Sequence, residues 1–589
     1  MKKSKNNSAA TAALKRSPVP VPTLKAGRPA TREAPPMMPR YWPSFLWSGL
    51  WLLVMAAALA SRPLLPVDET RYLAVAWDMW REGNFLVPHL NGEPYSHKPP
   101  LLFWLINLGW AVFGVNEWWP RLVAPLFGLG SLFLTARLAR ALWPEAAQTA
   151  RMAPLVLFGG LFWALFTTLT MFDMILAFCT LLGLIGVVRA WRAGGPGDDQ
   201  GGEWFGFGLL GIGIGLGVLA KGPAILVHIL PVALLAPWWG RILPGGEERR
   251  KGTWYLGVLG AVALGAAIGL AWAVPAGIAG GEAYREAIFW GQSAGRMVSS
   301  FAHRQPWWWY GAALPVLLLP WVLWPPVWRA ARRLRMALGR DGGDGGIRFC
   351  VAWLIPALVI FSAISGKQFH YLLPELPAIA LVLARLLFDG AAEKKGAAAD
   401  QILPGLFYVI AGICLFALPA LPVPEAAPSW LDLMATGWGL ALAAAGAAVL
   451  FCRRWPLPGR LGALAALSAV FVVVSNLAIK PPLAAAYDLK PLALKLAEWE
   501  RQGIPLANFG KYHGQYQFLG RLKKPITQVG IVDPDFRNFL TDHPDGRIVA
   551  YHNKLPKAAK PIAIYRFRTR LIAVWEVATV IRHPGILER

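Results

Sequence analysis

Cysteine is nearly absent from this sequence. The four that occur, Cys179, Cys350, Cys414 and Cys452, stand in or beside apolar runs without a CxxC spacing. That excludes a disulfide framework and a thiolate metal site and leaves packing as their role. No HExxH or HxxxH occurs either, so the sequence carries no helical zinc signature. Charge is sparse: Asp, Glu, Lys and Arg make up 15% of 589 residues against 56% hydrophobic ones, with a mean hydropathy of +0.44. A soluble enzyme of this length cannot be covered by so few charges, which points to a polytopic membrane protein. Acids are scarcer than bases, 33 against 58. The net charge of +25 would suit nucleic acid, but Lys and Arg fall mainly in short loops between apolar runs, the placement that fixes membrane orientation. The bilayer, not nucleic acid, is the expected partner. No internal repeat is visible.

What is present is a series of fourteen apolar runs, near 44–62, 99–115, 120–142, 150–169, 172–191, 204–219, 222–240, 254–275, 308–328, 347–365, 371–389, 402–420, 431–452 and 459–479. The 99–115 run is short, opens on two prolines and ends at Gly114, so it is expected to lie in the interface. Thirteen crossings remain. With the Pro-rich, basic residues 1–43 as a disordered cytoplasmic tail, the inner loops then receive Arg137, Arg140, Arg151, Arg241, Arg249, Arg250, Lys251 and the basic cluster from Arg329 to Arg348. The outer loops receive only Arg62, Arg71, Arg81, Lys98, Lys221, Arg285, Arg296, Arg304 and Lys367. Thirty Trp residues fit interfacial belts. The expected architecture is mainly α. A transmembrane domain spans 44–479 with an outer loop at 63–119, and a small soluble α/β domain at 480–589 lies outside. Its strand signals are GRIVAY (546–551), KPIAIYRF (560–567) and IAVWEVATVI (572–581), with helical signals at 485–503 and 533–541.

This topology brings the ionisable residues of the apolar region to one side. Asp68 and Glu69 open the polar stretch 63–100, where adjacent carboxylates meet the membrane boundary. As a helix N-terminus they would be ordinary; as catalytic groups, Asp68 is the candidate general base, with Glu69 beside it. Asp173 interrupts LTMFDMILAF, where a lone carboxylate is costly unless paired or used, and is the third catalytic candidate. Lys98, Lys221, Arg296 and Lys367 each sit where an apolar run meets an outer loop. One such cation would snorkel; four on one side suit a phosphate held at the surface, and Tyr371 is grouped with them. His97, His303 and His370 match no metal-ligand spacing and are placed, with Tyr72, as substrate-binding candidates. His228 is the main ionisable group at mid-span.

The motifs VDETRY, Tyr95-Ser96-His97-Lys98-Pro99-Pro100, the Asp between the third and fourth spans, the Lys221-Gly222 pair, FAHRQPWWWY (301–310) and GKQFHYLLPELPAIAL (366–381) together resemble the GT-C superfamily of integral-membrane glycosyltransferases. The likeness is nearest to the lipid A aminoarabinose transferases and protein mannosyltransferases of glycosyltransferase families 39 and 83. It implies a polyprenyl-phosphate-linked sugar as donor, an inverting transfer, and a periplasmic acceptor such as lipid A or another envelope glycan. It also implies Asp68 and Asp173 at the catalytic acidic positions, and Lys98, Arg296 and Lys367 at the lipid phosphate. Lys221 matches a Lys-Gly position. Where the aminoarabinose transferases carry Glu and His at two positions that can hold zinc, this chain has His97 and Ser293; a divalent metal is possible but not required, and no cofactor is expected. A protein Ser/Thr acceptor is the alternative within the family. A lipid or sugar flippase is the alternative outside it, but transporters concentrate charge at mid-bilayer, whereas here acids lie at span ends.

Overall fold

The computed structural model describes residues 42–193, 200–243, 251–291, 304–339, 343–388, 398–420, 429–530 and 534–587. Arg296, His303 and Ser293 lie outside them. Helix α1 (Trp42–Ser61) leads through the Pro63–Pro66 turn into α2 (Asp68–Glu82), an amphipathic helix with Asp68 and Glu69 in its first turn and Gly83 ending it in the left-handed conformation. A two-residue Asn91-Gly92 turn, both residues at positive φ, folds a small hairpin of β1 (His89–Leu90) and β2 (Glu93–Pro94). Helix α3 (Leu101–Phe113) is the expected interfacial run. At 13 residues it is about 20 Å long, short of a bilayer core of roughly 30 Å.

The following helices are α4 (Pro120–Leu142), α5 (Ala147–Gly159), α6 (Leu161–Phe166), α7 (Phe172–Arg192), α8 (Gln200–Lys221) and α9 (Ile225–Leu234). Among the described residues, eight helical segments are long and apolar enough to cross a membrane, against thirteen runs expected to do so. Seven runs map onto such segments one to one, and those at 204–219 and 222–240 share the segment Gly201–Leu234, broken at Gly222. The 44–62 run is the shorter helix Phe45–Ser61; those at 150–169, 308–328 and 431–452 are divided into shorter helices. Gly160, in an extended conformation, divides the first of these, and Pro320 and Pro325, which lack a helical N–H, divide the second.

The centre of the helical region is α7, packed between α4 and α8. Helices α7 and α8 touch backbone to backbone. A Cβ on Gly186 would stand 2.6 Å from the Leu210 nitrogen, and one on Gly213 would stand 2.7 Å from the Gly183 nitrogen. Small residues in register allow this approach, the usual device where no hydrophobic drive acts between helices in lipid. Because the pair runs antiparallel, the start of α7 and the end of α8 come together, and with them Asp173 and Lys221.

After the helix Leu457–Ala486 the chain builds the small mixed sheet, β3 (Leu506–Phe509), β4 (Thr527–Val529), β5 (Arg547–His552), β6 (Ala563–Phe567) and β7 (Arg570–Glu576), in the order β4-β3-β5-β7-β6. The pairs β4–β3 and β3–β5 are parallel, β5–β7 and β7–β6 antiparallel. The expected strand at 572–581 stops at Glu576, opposite Arg547, the first residue of β5; the Val577 N–H still reaches the Gly546 carbonyl at 3.1 Å, and Val577–Arg582 is helical. From Pro43 onward the chain forms one compact unit, so this domain is packed onto the helices. The Trp77 indole donates to the Leu522 carbonyl at 2.9 Å, and the Asn91 side chain pairs with the main chain of Ile526 through both its oxygen and its nitrogen.

Under that contact lies Asp78, fully buried on α2, 3.7 Å from Arg81 and accepting the Asn91 N–H at 2.9 Å. Burial outweighs these partners and lifts its carboxyl to about 6. A carboxyl raised on folding favours the folded state fully below its unfolded value of 3.8, and that stabilisation is lost as pH rises through about 6. The shift corresponds to about 3 kcal/mol. Asp78→Asn removes this slope. In detergent melts its Tm gains on the wild type between pH 5 and pH 7.5; an equal difference at both pH values contradicts the assignment.

Candidate active site

Asp68 is half-exposed at the first turn of α2, ion-paired with Arg71, and its Oδ1 lies 3.5 Å from the Tyr72 hydroxyl. Tyr72 is buried and keeps its proton, its hydroxyl raised above the ordinary tyrosine range chiefly by burial and next by Asp68, so it faces Asp68 as a donor. Its ring meets Phe172 edge-on at 5.0 Å, and Lys98 lies over the same Phe172 ring at 5.6 Å. Phe172 thus joins the α2 side of the site to Asp173, the next residue.

Asp173 is buried in the first turn of α7 and receives Lys221 Nζ at 2.5 Å. Lys221 also lies over the Tyr371 ring, 4.9 Å from its centre. Gly222, at φ +74°, turns the chain away directly after Lys221, which keeps the ammonium at a helix end. His370 stacks on Phe166 at 5.6 Å and meets Tyr371 edge-on at 5.0 Å; Asp173, Lys221, Lys98 and Asp68 all act electrostatically on its ring. Asp68, Tyr72, Lys98, Asp173, Lys221, His370 and Tyr371 are therefore one cluster, assembled from five separate stretches of chain. The exposed His97 ring packs at its edge against Tyr95, one residue from Lys98.

Two expected members are engaged otherwise. Glu69 is buried and does not stand free beside Asp68: it pairs with Arg62 at 3.3 Å and accepts the N–H groups of Leu65 at 2.9 Å and Thr170 at 3.0 Å. Arg62 in turn donates to the Thr168 carbonyl at 2.7 Å, so this pair ties the start of α2 to the turn that leads into Asp173. Lys367 is buried, with its ammonium donating to the carbonyls of Ile364 at 2.6 Å and Gln305 at 3.0 Å. It closes the loop where Arg304 bridges Gly366.

The C-terminal domain contributes groups that the sequence did not point to. The Arg568 guanidinium donates to the Pro66 carbonyl at 2.8 Å, two residues before Asp68. Gly514, at φ +71°, lies so close to α2 that a Cβ would stand 3.0 Å from that of Ala74. Its neighbour His513 is held below the ordinary imidazole range by burial and then by Arg71 and Lys511, with Asp68 opposing. Only a fold that docks residues some 440 positions apart reveals this.

Residues 45–275 match the family model of dolichyl-phosphate-mannose-protein mannosyltransferase. An undecaprenyl phosphate-α-4-amino-4-deoxy-L-arabinose arabinosyl transferase of Pseudomonas paraeruginosa is 31% identical over 445 residues, 74% of either chain. The chain belongs to this arabinosyl transferase family. It is a multi-span membrane protein of GT-C type. Two further family members, both from Pseudomonas fluorescens, are 31% and 30% identical, and the chain spans 65% and 60% of their length. The crystal structure of ArnT from Cupriavidus metallidurans bound to undecaprenyl phosphate superposes with a TM-score of 0.71 over 91% of this chain and 98% of that one, at 18% identity, which shows the same fold.

Proposed function

We propose that this protein is an inverting glycosyltransferase of the inner membrane that moves a sugar from a polyprenyl phosphate to an acceptor on the periplasmic side. The observation that carries this reading is the convergence of Asp68 with the Asp173–Lys221 pair, Lys98 and His370. The family relatives are named for undecaprenyl phosphate-α-4-amino-4-deoxy-L-arabinose, which makes that lipid the first donor to test and lipid A or a related envelope glycolipid the first acceptor.

In this reading Lys98 and Lys221 face the donor phosphate. The acceptor oxygen attacks the anomeric carbon from the face opposite the phosphate, the bond from that carbon to the phosphate oxygen breaks, and the electron pair leaves with the polyprenyl phosphate. Asp68, exposed enough to meet an acceptor, takes the acceptor's proton. Asp173 orients Lys221, and Glu69 with Arg62 fixes the distance between α2 and α7 as a positioning pair. Charge on the departing phosphate is met by lysines, so that a divalent metal is not required. Arg296 is proposed to join them at the donor phosphate, whereas Lys367, its ammonium taken by two carbonyls, serves its own loop. The N-terminus lies in the cytoplasm and the C-terminal domain in the periplasm.

Mass spectrometry of envelope glycolipids from cells with and without the protein tests the reading. One acceptor species should carry a sugar-sized mass increment only when the protein is present. Identical glycolipid profiles contradict it.

A further inference from the structure

Beneath the site lies a second pair of ionisable groups. His228 of α9 and Glu375 face each other with Nδ1 and Oε1 2.5 Å apart, each about 1% exposed. The other carboxylate oxygen, Glu375 Oε2, is buried and has no hydrogen-bond partner among the described residues. Both lie within segments long and apolar enough to cross a membrane, Gly201–Leu234 and Phe369–Phe388. Ionisable groups at such positions are costly and are retained where they do something. Packing alone does not require them, since a buried ion pair replaced by apolar side chains of similar volume is often no less stable.

What the pair joins is informative. His228 lies about two helical turns beyond Lys221, past the Gly222-Pro223 break. Glu375 closes the 3-10 segment Phe369–Glu375 that carries His370 and Tyr371. At the site end the same two stretches meet again, where Lys221 lies over the Tyr371 ring. Between these contacts the rings of His228, Phe361 and Tyr371 follow one another, with centres 5.5 and 6.0 Å apart. The two stretches are therefore clamped at both ends, and the lower clamp depends on a hydrogen bond between side chains.

We propose that His228 and Glu375 are positioning residues for sugar transfer, holding the His370–Tyr371 segment at a fixed distance from Lys221. The inference rests on the reading given under Proposed function. A break in the lower clamp lets the 3-10 segment move relative to α9, so Tyr371 and His370 lose their register with Lys221 and Asp173. Misplacement of that kind, at a distance from the reacting atoms, lowers turnover without removing any group that touches substrate.

The test uses the full-length protein in proteoliposomes with an undecaprenyl-phosphate sugar donor. The double variant His228→Phe/Glu375→Met fills the space with apolar side chains. It is expected to keep its melting temperature, to lose at least tenfold in kcat and to raise the donor KM, whereas Glu375→Gln, which keeps the hydrogen bond, retains most of the turnover. A folded double variant with wild-type kcat and KM overturns the proposal. If the double variant does not fold, a cycle of His228→Gln with Tyr371→Leu decides. A clamp acting through Tyr371 gives strongly non-additive effects on kcat, and additive effects overturn it. Wild-type and Asp68→Asn proteins run in parallel separate the two readings. No transfer by wild type refutes the glycosyltransferase assignment, and equal transfer by both removes only Asp68 from the mechanism. An active wild type and an inactive Asp68→Asn beside an unimpaired double variant refute only the clamp.

Discussion

Asp68→Asn lowers the rate of sugar transfer by about 10²–10⁴-fold, the usual contribution of a positioned general base. The fold survives the change. Asp68 is half-exposed and, among the described residues, bonds only within its own helix, to Arg71 and Tyr72, so the lost ion pair is worth about 0–1 kcal/mol. Asparagine keeps the shape and still accepts from Tyr72, which confines the change to the charge. The donor KM should therefore stay within a few-fold of wild type, because Lys98 and Lys221 remain in place. A folded Asp68→Asn protein with near-wild-type turnover would remove Asp68 from the mechanism.

Lys221→Ala has the opposite profile, large in stability as well as activity. It leaves Asp173 buried at 2% exposure without its 2.5 Å partner, and removing one member of a buried pair costs about 3–5 kcal/mol. Transfer falls with it, since the same ammonium is assigned to the donor phosphate. The double variant Asp173→Asn/Lys221→Met separates the two effects: thermal stability returns while transfer does not. Recovery of transfer in the double variant would show that the pair serves the fold alone.

Much of this site was legible in the sequence because lipid makes charge conspicuous. Asp173 and Lys221 interrupt apolar runs, and the cost of an unpaired ionisable group there makes each stand out. That the two meet follows from topology, which the distribution of Lys and Arg among loops supports. Glu69 illustrates the limit of that reasoning. Its adjacency to Asp68 gives no sign that helical geometry sends the two side chains in different directions, one to solvent and one onto the Thr170 N–H. Lys367 and Glu375 were harder still. Lys367 stands where a phosphate-binding cation would, yet its ammonium is taken by two carbonyls from a fold-specific loop. Glu375 sits in LLPEL and is given meaning only by His228, 147 residues earlier. The C-terminal strand β6 follows its alternation, β5 is buried through three consecutive residues, and β3 and β4, four and three residues long, are too short to leave a pattern.

The account as a whole depends on whether a glycosidic bond is exchanged. Purified protein in proteoliposomes, supplied with undecaprenyl phosphate bearing labelled 4-amino-4-deoxy-L-arabinose and with lipid A, should move label onto lipid A and release one undecaprenyl phosphate for each sugar transferred. Labelled donor that crosses the bilayer with its sugar–phosphate bond intact, and no label on any acceptor, would contradict it.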